Sequence, residues 1–100
     1  MLEVEKVREL WEKHEASPIP AGFRSLIIEG LTLTQIHCDI AANIMTYINT
    51  GGRLGSHRVN TLQQRRSLLR QSIETLPTES RAYCERLNKI SDIVLQGSQG

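Results

Sequence analysis

Apolar residues recur at helical spacing in four stretches of the chain, and the stretch with the fewest charges organises the rest. In residues 31–52, LTLTQIHCDIAANIMTYINTGG, Leu33, Ile36, Ile40, Ile44, Tyr47 and Ile48 mark one face. Ala41, Ala42 and Met45 widen that face, and Asp39 is the only formal charge. Such a cylinder is expected to face protein around most of its circumference. Thr32 followed by Gln35 has the form of a capping box. Gly51 and Gly52 supply the left-handed conformation that ends a helix. The pattern predicts a central, mostly buried helix over 33–50.

Residues 2–16 place Val4, Val7, Leu10, Trp11 and His14 on one face and charges such as Glu9 and Lys13 on the other, which predicts an amphipathic helix. Ser17-Pro18-Ile19-Pro20-Ala21-Gly22 ends it, because proline disfavours a helical residue before it. Leu26, Ile27 and Ile28 have strand character, but no second strand-like run follows to pair with them. An irregular or single-turn segment is the expectation there, with a second copy of the chain as the other source of a partner strand. After the short loop at 53–56, Ser56 is the expected N-cap of a helix over 57–76 that folds back antiparallel to the central one. Pro77 ends it, and Thr78 is placed to cap a last helix over 79–96 carrying Tyr83, Leu87, Ile90, Ile93, Val94 and Leu95. Residues 97–100 read as a polar tail. The expected fold is an all-α, four-helix bundle-like single domain over residues 1–100.

Composition changes this picture in two places. Aromatic residues make up 4% of the chain, so Leu, Ile, Val, Met and Ala must build the core around Trp11, Phe23, Tyr47 and Tyr83. Net charge is +1 but unevenly spread: residues 1–30 hold six acids and four bases, whereas residues 53–70 hold five arginines and no acid. Cys38 and Cys84 fall on different helices and belong to no Cys-x-x-Cys motif, so both are expected as small buried hydrophobes. The N-terminus lacks the pattern of a secretory signal, and no apolar run approaches a membrane span, which predicts a cytoplasmic protein with no membrane partner.

Three stretches carry candidate chemistry. Gly51-Gly52-Arg53-Leu54-Gly55-Ser56-His57-Arg58 leads into a helix N-terminus, where free N–H groups and the helix dipole favour an anion. It lacks the Gly-Lys-Ser/Thr ending of a P-loop and no strand precedes it, and a C-cap, a tight turn and an N-cap is the preferred reading. Arg58, Arg65, Arg66 and Arg70 make an acid-free helix suited to phosphate contacts. No aromatic residue interleaves with them, and the acids of the first helix, Glu3, Glu5, Glu9, Glu12 and Glu15, are alternative partners within one chain or across a dimer. His37-Cys38-Asp39 sets a base, a thiol and an acid side by side, but consecutive helix residues point about 100° apart and need a group from elsewhere, such as Tyr83 or Cys84. Among His14, His37, His57, Cys38 and Cys84 no two share an i, i+4 spacing, so no metal site and no cofactor is expected.

Leu2, Ile19, Ile27, Ile28, Leu54, Leu68 and Leu95 exceed what four apolar stripes need, and they are expected either to form a patch for another subunit or to fill the ends of the core. From Pro20 to Leu95 the order of features resembles an uncharacterised family of short helical bacterial proteins. The likeness lies in Gly22-Phe23, Ile28-Glu29-Gly30, the helix with Asp39, Ile40 and Ala41, then Tyr47, Gly51-Gly52 with Leu54, and finally Leu76, Tyr83 and Leu87. It covers about three-quarters of the chain and implies a shared helical fold, with no activity attached. The expected function is a non-enzymatic protein–protein interaction module, self-associating, an adaptor or small regulatory subunit, with Ile27, Ile28 and Leu54 at the partner surface. The alternative is a nucleic-acid or anion-binding regulator using Arg53, His57, Arg58, Arg65, Arg66 and Arg70.

Overall fold

A computed structural model describes residues 3–98. The elements in order are α1 (Glu3–Ala16), a 3-10 turn (Phe23–Ser25), β1 (Ile27–Ile28), β2 (Leu31–Thr32), α2 (Leu33–Asn49), α3 (Ser56–Ser72), a second 3-10 turn (Ile73–Thr75) and α4 (Thr78–Ser98). The helices pack as an all-α bundle: α2 and α4 touch each other, and each also touches α1 and α3. α1 and α3 therefore flank the α2/α4 pair on opposite sides. Among the described residues no helix is long and apolar enough to cross a membrane.

The ends of α2 follow from its sequence. Thr32 Oγ1 accepts the Gln35 N–H at 3.1 Å, satisfying one orphan donor of the first turn. At the other end the Gly52 N–H donates to Tyr47 O at 2.8 Å and the Gly51 N–H to Ile48 O at 3.3 Å. That pair of bonds is a Schellman motif, and it requires the positive φ that Gly51 and Gly52 adopt. Gly52 is also needed for space, since a Cβ there would lie 2.9 Å from Val4 Cγ2 of α1.

Several sequence expectations need correction. Leu26-Ile27-Ile28 is followed by a partner strand after all: Ile27 pairs with Thr32 and Ile28 with Leu31 in a small antiparallel hairpin. Glu29 (φ 51°) and Gly30 (φ 80°) both take the left-handed conformation that a two-residue hairpin turn demands. Leu31 and Thr32 escaped notice as a strand because they read as the entry to the helix. Alternation then buries Ile28 (6% exposed) and leaves Ile27 in solvent (66%), so Ile28 is a core residue, not a partner contact. Leu54 packs, partly buried, against the core, and so does Leu68, while Leu95 is fully inside it. Leu2 lies outside the described residues.

Ser56 is the first helical residue of α3 and Gly55 its N-cap, with no side-chain cap. Thr78 likewise opens α4, whose first carbonyl acceptor is Pro77, bonded from Arg81 N. α3 tightens into a 3-10 turn at Ile73, earlier than the expected end at 76. The expected polar tail is shorter than 97–100, because α4 runs through Gly97 and Ser98. Met45 (46% exposed) and Cys38 lie on the solvent side of α2, not in the core.

Gly97 sits in a helix at a cost of about 1 kcal/mol relative to alanine, and packing explains it. A Cβ there would collide with the buried Tyr47 Oη and lie 2.7 Å from Glu3 Oε2. Gly97→Ala is therefore expected to destabilise the fold by about 1–2 kcal/mol in urea melts, despite its better helix propensity. Tyr47→Phe, which removes the nearest atom, should recover part of that loss in the double variant. A stabilised Gly97→Ala protein would mean that the α2–α4 contact is looser than described.

Candidate functional site

An open groove of about 440 Å³ runs between α1 and the outer side of α2. Its walls come from Trp11 and Glu15 of α1, Ile19 of the connection, and Cys38, Ala41 and Met45 of α2. The proline-rich connection departs from α1 at Ser17, whose Oγ donates to Lys13 O, and this holds Ile19 at the groove's edge with half its surface in solvent (51%). The floor holds His14, His37 and Tyr83, delivered by α1, α2 and α4 respectively.

These three residues form a polar cluster inside an aromatic cage. His14 Nε2 and His37 Nε2 lie 3.3 Å apart, and Tyr83 Oη is 3.4 Å from the same His37 nitrogen. The two imidazole centroids are 5.4 Å apart with planes 23° from parallel. With the nitrogens closer than the centroids by nearly two ring radii, the rings meet edge to edge through Nε2 and do not overlap face to face. Trp11 lies 5.5 Å from the His14 ring, and Phe23 sets its edge against Tyr83 at 5.2 Å. Arg86 lies over the Tyr83 ring at 5.5 Å. His14 is 2% exposed, and its Nδ1 has no hydrogen-bond partner.

Burial, reinforced by the neighbouring His37 and Arg86, lowers the His14 pKa to about 4, and burial lowers that of His37 as well. Burial raises the Tyr83 phenol and pushes the Cys84 thiol up to about 12, leaving Cys84 an unreactive core residue as expected. Cys38 departs from that expectation, being exposed on the groove wall. Tyr83 does come across from α4 to His37, but Asp39 turns to the other side of α2 and binds Arg65, so His37-Cys38-Asp39 is not assembled into a triad.

The arginines are divided. Arg65 Nε donates to Asp39 Oδ2 at 2.8 Å, and Arg66 Nη1 donates to Asp92 Oδ1 of α4. Their partners are thus acids of the central helices rather than those of α1, from which α3 is separated by the α2/α4 pair. Arg58 Nη1 makes a longer bond, 3.4 Å, to the buried Asn43 Oδ1. Arg53, His57, Arg58 and Arg70 are exposed. His57 and Arg58 line a shallow groove between α2 and α3 with Asp39, Asn43 and Thr61, and Arg70 lies beside Arg66 and Asp92. In the glycine loop the Arg53 N–H donates to Thr50 Oγ1, which in turn donates to Arg53 O, so the loop's amide at Arg53 is already paired. Among the described residues no three His, Cys, Asp or Glu side chains converge as a metal site.

Comparison of the chain with protein-family models, curated proteins and solved structures finds no match. The functional reading therefore rests on these residues. The sequence named Tyr83 as a group able to reach His37, but the third member, His14, was missed because it lies far from both in the chain. The available signal was that His14 recurs on the apolar face of α1.

The cluster makes stability depend on pH. In the unfolded chain His14 takes up a proton near pH 6.5, whereas in the fold it stays neutral to about pH 4. The unfolded state binds more protons across that window, so stability is full above it and is lost as pH falls from 6.5 towards 4. His14 alone accounts for roughly 3 kcal/mol of that loss. Urea melts at pH 7.5 and 4.5 should show the difference, and His14→Phe should flatten it.

Proposed function

We propose that this chain is a non-enzymatic interaction module of the cytoplasm that pairs with a second copy of itself through the outer ridge of α2. The observation that carries this reading is an uncharged, solvent-facing strip. Cys38, Ala42, Met45 and Asn49 are all exposed and fall at i, i+4, i+7 and i+11 along one helix face, with Ile19 beside them. Ala41 and Ala42 leave room for a second helix to approach closely.

The charges beside the strip favour this partner. Glu15 borders it on the α1 side, and His57 and Arg58 border it on the α3 side. A twofold axis running along α2 sets the acidic flank of one copy on the side of the other's basic flank. A twofold axis across α2 would set acid against acid. The alternative, a nucleic-acid or anion-binding regulator, is the weaker reading because Arg65 and Arg66 are held by Asp39 and Asp92.

Sedimentation equilibrium tests the proposal. The wild-type chain should reversibly dimerise, and Met45→Lys should weaken the dimer at least about tenfold by placing a charge in the strip. Because Met45 is exposed, its replacement should leave the monomer's thermal melting unchanged. A wild-type protein that stays monomeric across the concentration range would overturn the reading.

A further inference from the structure

The capture of Arg65 and Arg66 by Asp39 and Asp92 takes two charges from α3 but leaves its outer surface untouched. That surface differs from the one on the opposite flank of the domain. Every exposed residue of α1 except Ala16 is charged, whereas the outward ridge of α3 consists of His57, Asn60, Gln64, Ser67 and Gln71, all exposed. Their spacing keeps these five side chains within about 80° of the helix circumference. No acid occurs from Arg53 to Ile73. At about 100° per residue, Arg58 falls on one side of the ridge and Arg70 on the other, both exposed. Arg53 is exposed in the loop before the helix, and among the described residues none of these three arginines makes a salt bridge. α1 lies across the α2/α4 pair, so its carboxylates are on the far side of the domain. The net charge of +1 therefore hides a charge-separated molecule, negative on the α1 flank and positive on the α3 flank.

We propose that the outer ridge of α3 binds double-helical DNA by lying in its major groove. That groove is about 12 Å wide, admits one helix, and is walled by phosphates. Arg58 and Arg70, on opposite sides of the ridge, are placed for the two walls, and the ridge between them meets the base edges. Amides suit that position, because Asn and Gln both donate and accept and pair with N6 and N7 of adenine. They also bring no charge to repel the polyanion, which the exposed face of α1 would do. The ridge uses none of the residues of the uncharged strip on α2, so DNA binding and self-association stand or fall separately.

The test titrates a labelled DNA duplex of mixed sequence with the full chain and follows fluorescence anisotropy. Phosphate contacts from Arg53, Arg58 and Arg70 give a slope of about −2.7 in log affinity against log salt, so binding should weaken about fortyfold between about 50 and 200 mM salt. Arg70→Gln should reduce that slope by about one. Gln64→Glu sets a carboxylate in the middle of the ridge and should weaken binding at least about tenfold, whereas Glu12→Gln on α1 should change it less than about twofold. An RNA duplex, whose major groove is too deep and narrow for a helix, should bind at least about tenfold more weakly than DNA. Gln64 and Arg70 are exposed, so unchanged thermal melting shows that the variants are folded. Absence of binding to DNA at low salt, Gln64→Glu binding like the wild type, or equal affinity for the RNA duplex would each overturn the proposal.

Discussion

The direct contact of α2 with α4 is the constraint from which the rest of the domain follows. Each of the two buries a face against all the other helices. Tyr47 presses its hydroxyl against the backbone of α4 at Gly97, and Gly52 lets α1 close over the end of α2. With that pair fixed, α1 and α3 have only the two flanks to occupy. The strongly acidic and strongly basic helices are thereby kept apart. Their charges cannot cancel inside one chain, so Arg65 and Arg66 of α3 turn to acids on α2 and α4 while Arg58 and Arg70 stay exposed.

This arrangement also explains what could be read from the residues in order. The termini of α2 were legible because capping is local: Thr32 with Gln35, and the two glycines, make their bonds within one turn. The hairpin was not, since its second strand is only Leu31-Thr32 and the determining signal is a pair of backbone angles at Glu29 and Gly30. Periodicity placed the apolar arc of α2 correctly but not its edge. Cys38, Ala42 and Met45 are uncharged and fit a core as readily as a surface, so only the position of α1 decides which of them is covered.

The same limit applied to the site. His14 was legible as an inward residue, but its neighbour in space is set by how α1 lies on α2, a tertiary fact with no local signature. Burying two imidazoles and a phenol together is costly unless each finds partners, and here only part of that demand is met. An incompletely satisfied polar cluster in a small core lowers stability, and the domain, with few aromatic residues, has placed Trp11 and Phe23 beside this one and Tyr83 within it.

The position of the cluster matters as much as its chemistry. It forms the floor of the groove whose wall is the exposed ridge of α2, so a change in the charge of His37 acts directly beneath Cys38 and Ala41. Protonating both imidazoles would push apart the two helices that define the groove, whereas the hydrogen bond between the neutral rings holds the same helices together. The proposed self-association through the ridge of α2 would therefore depend on the helix that the cluster anchors.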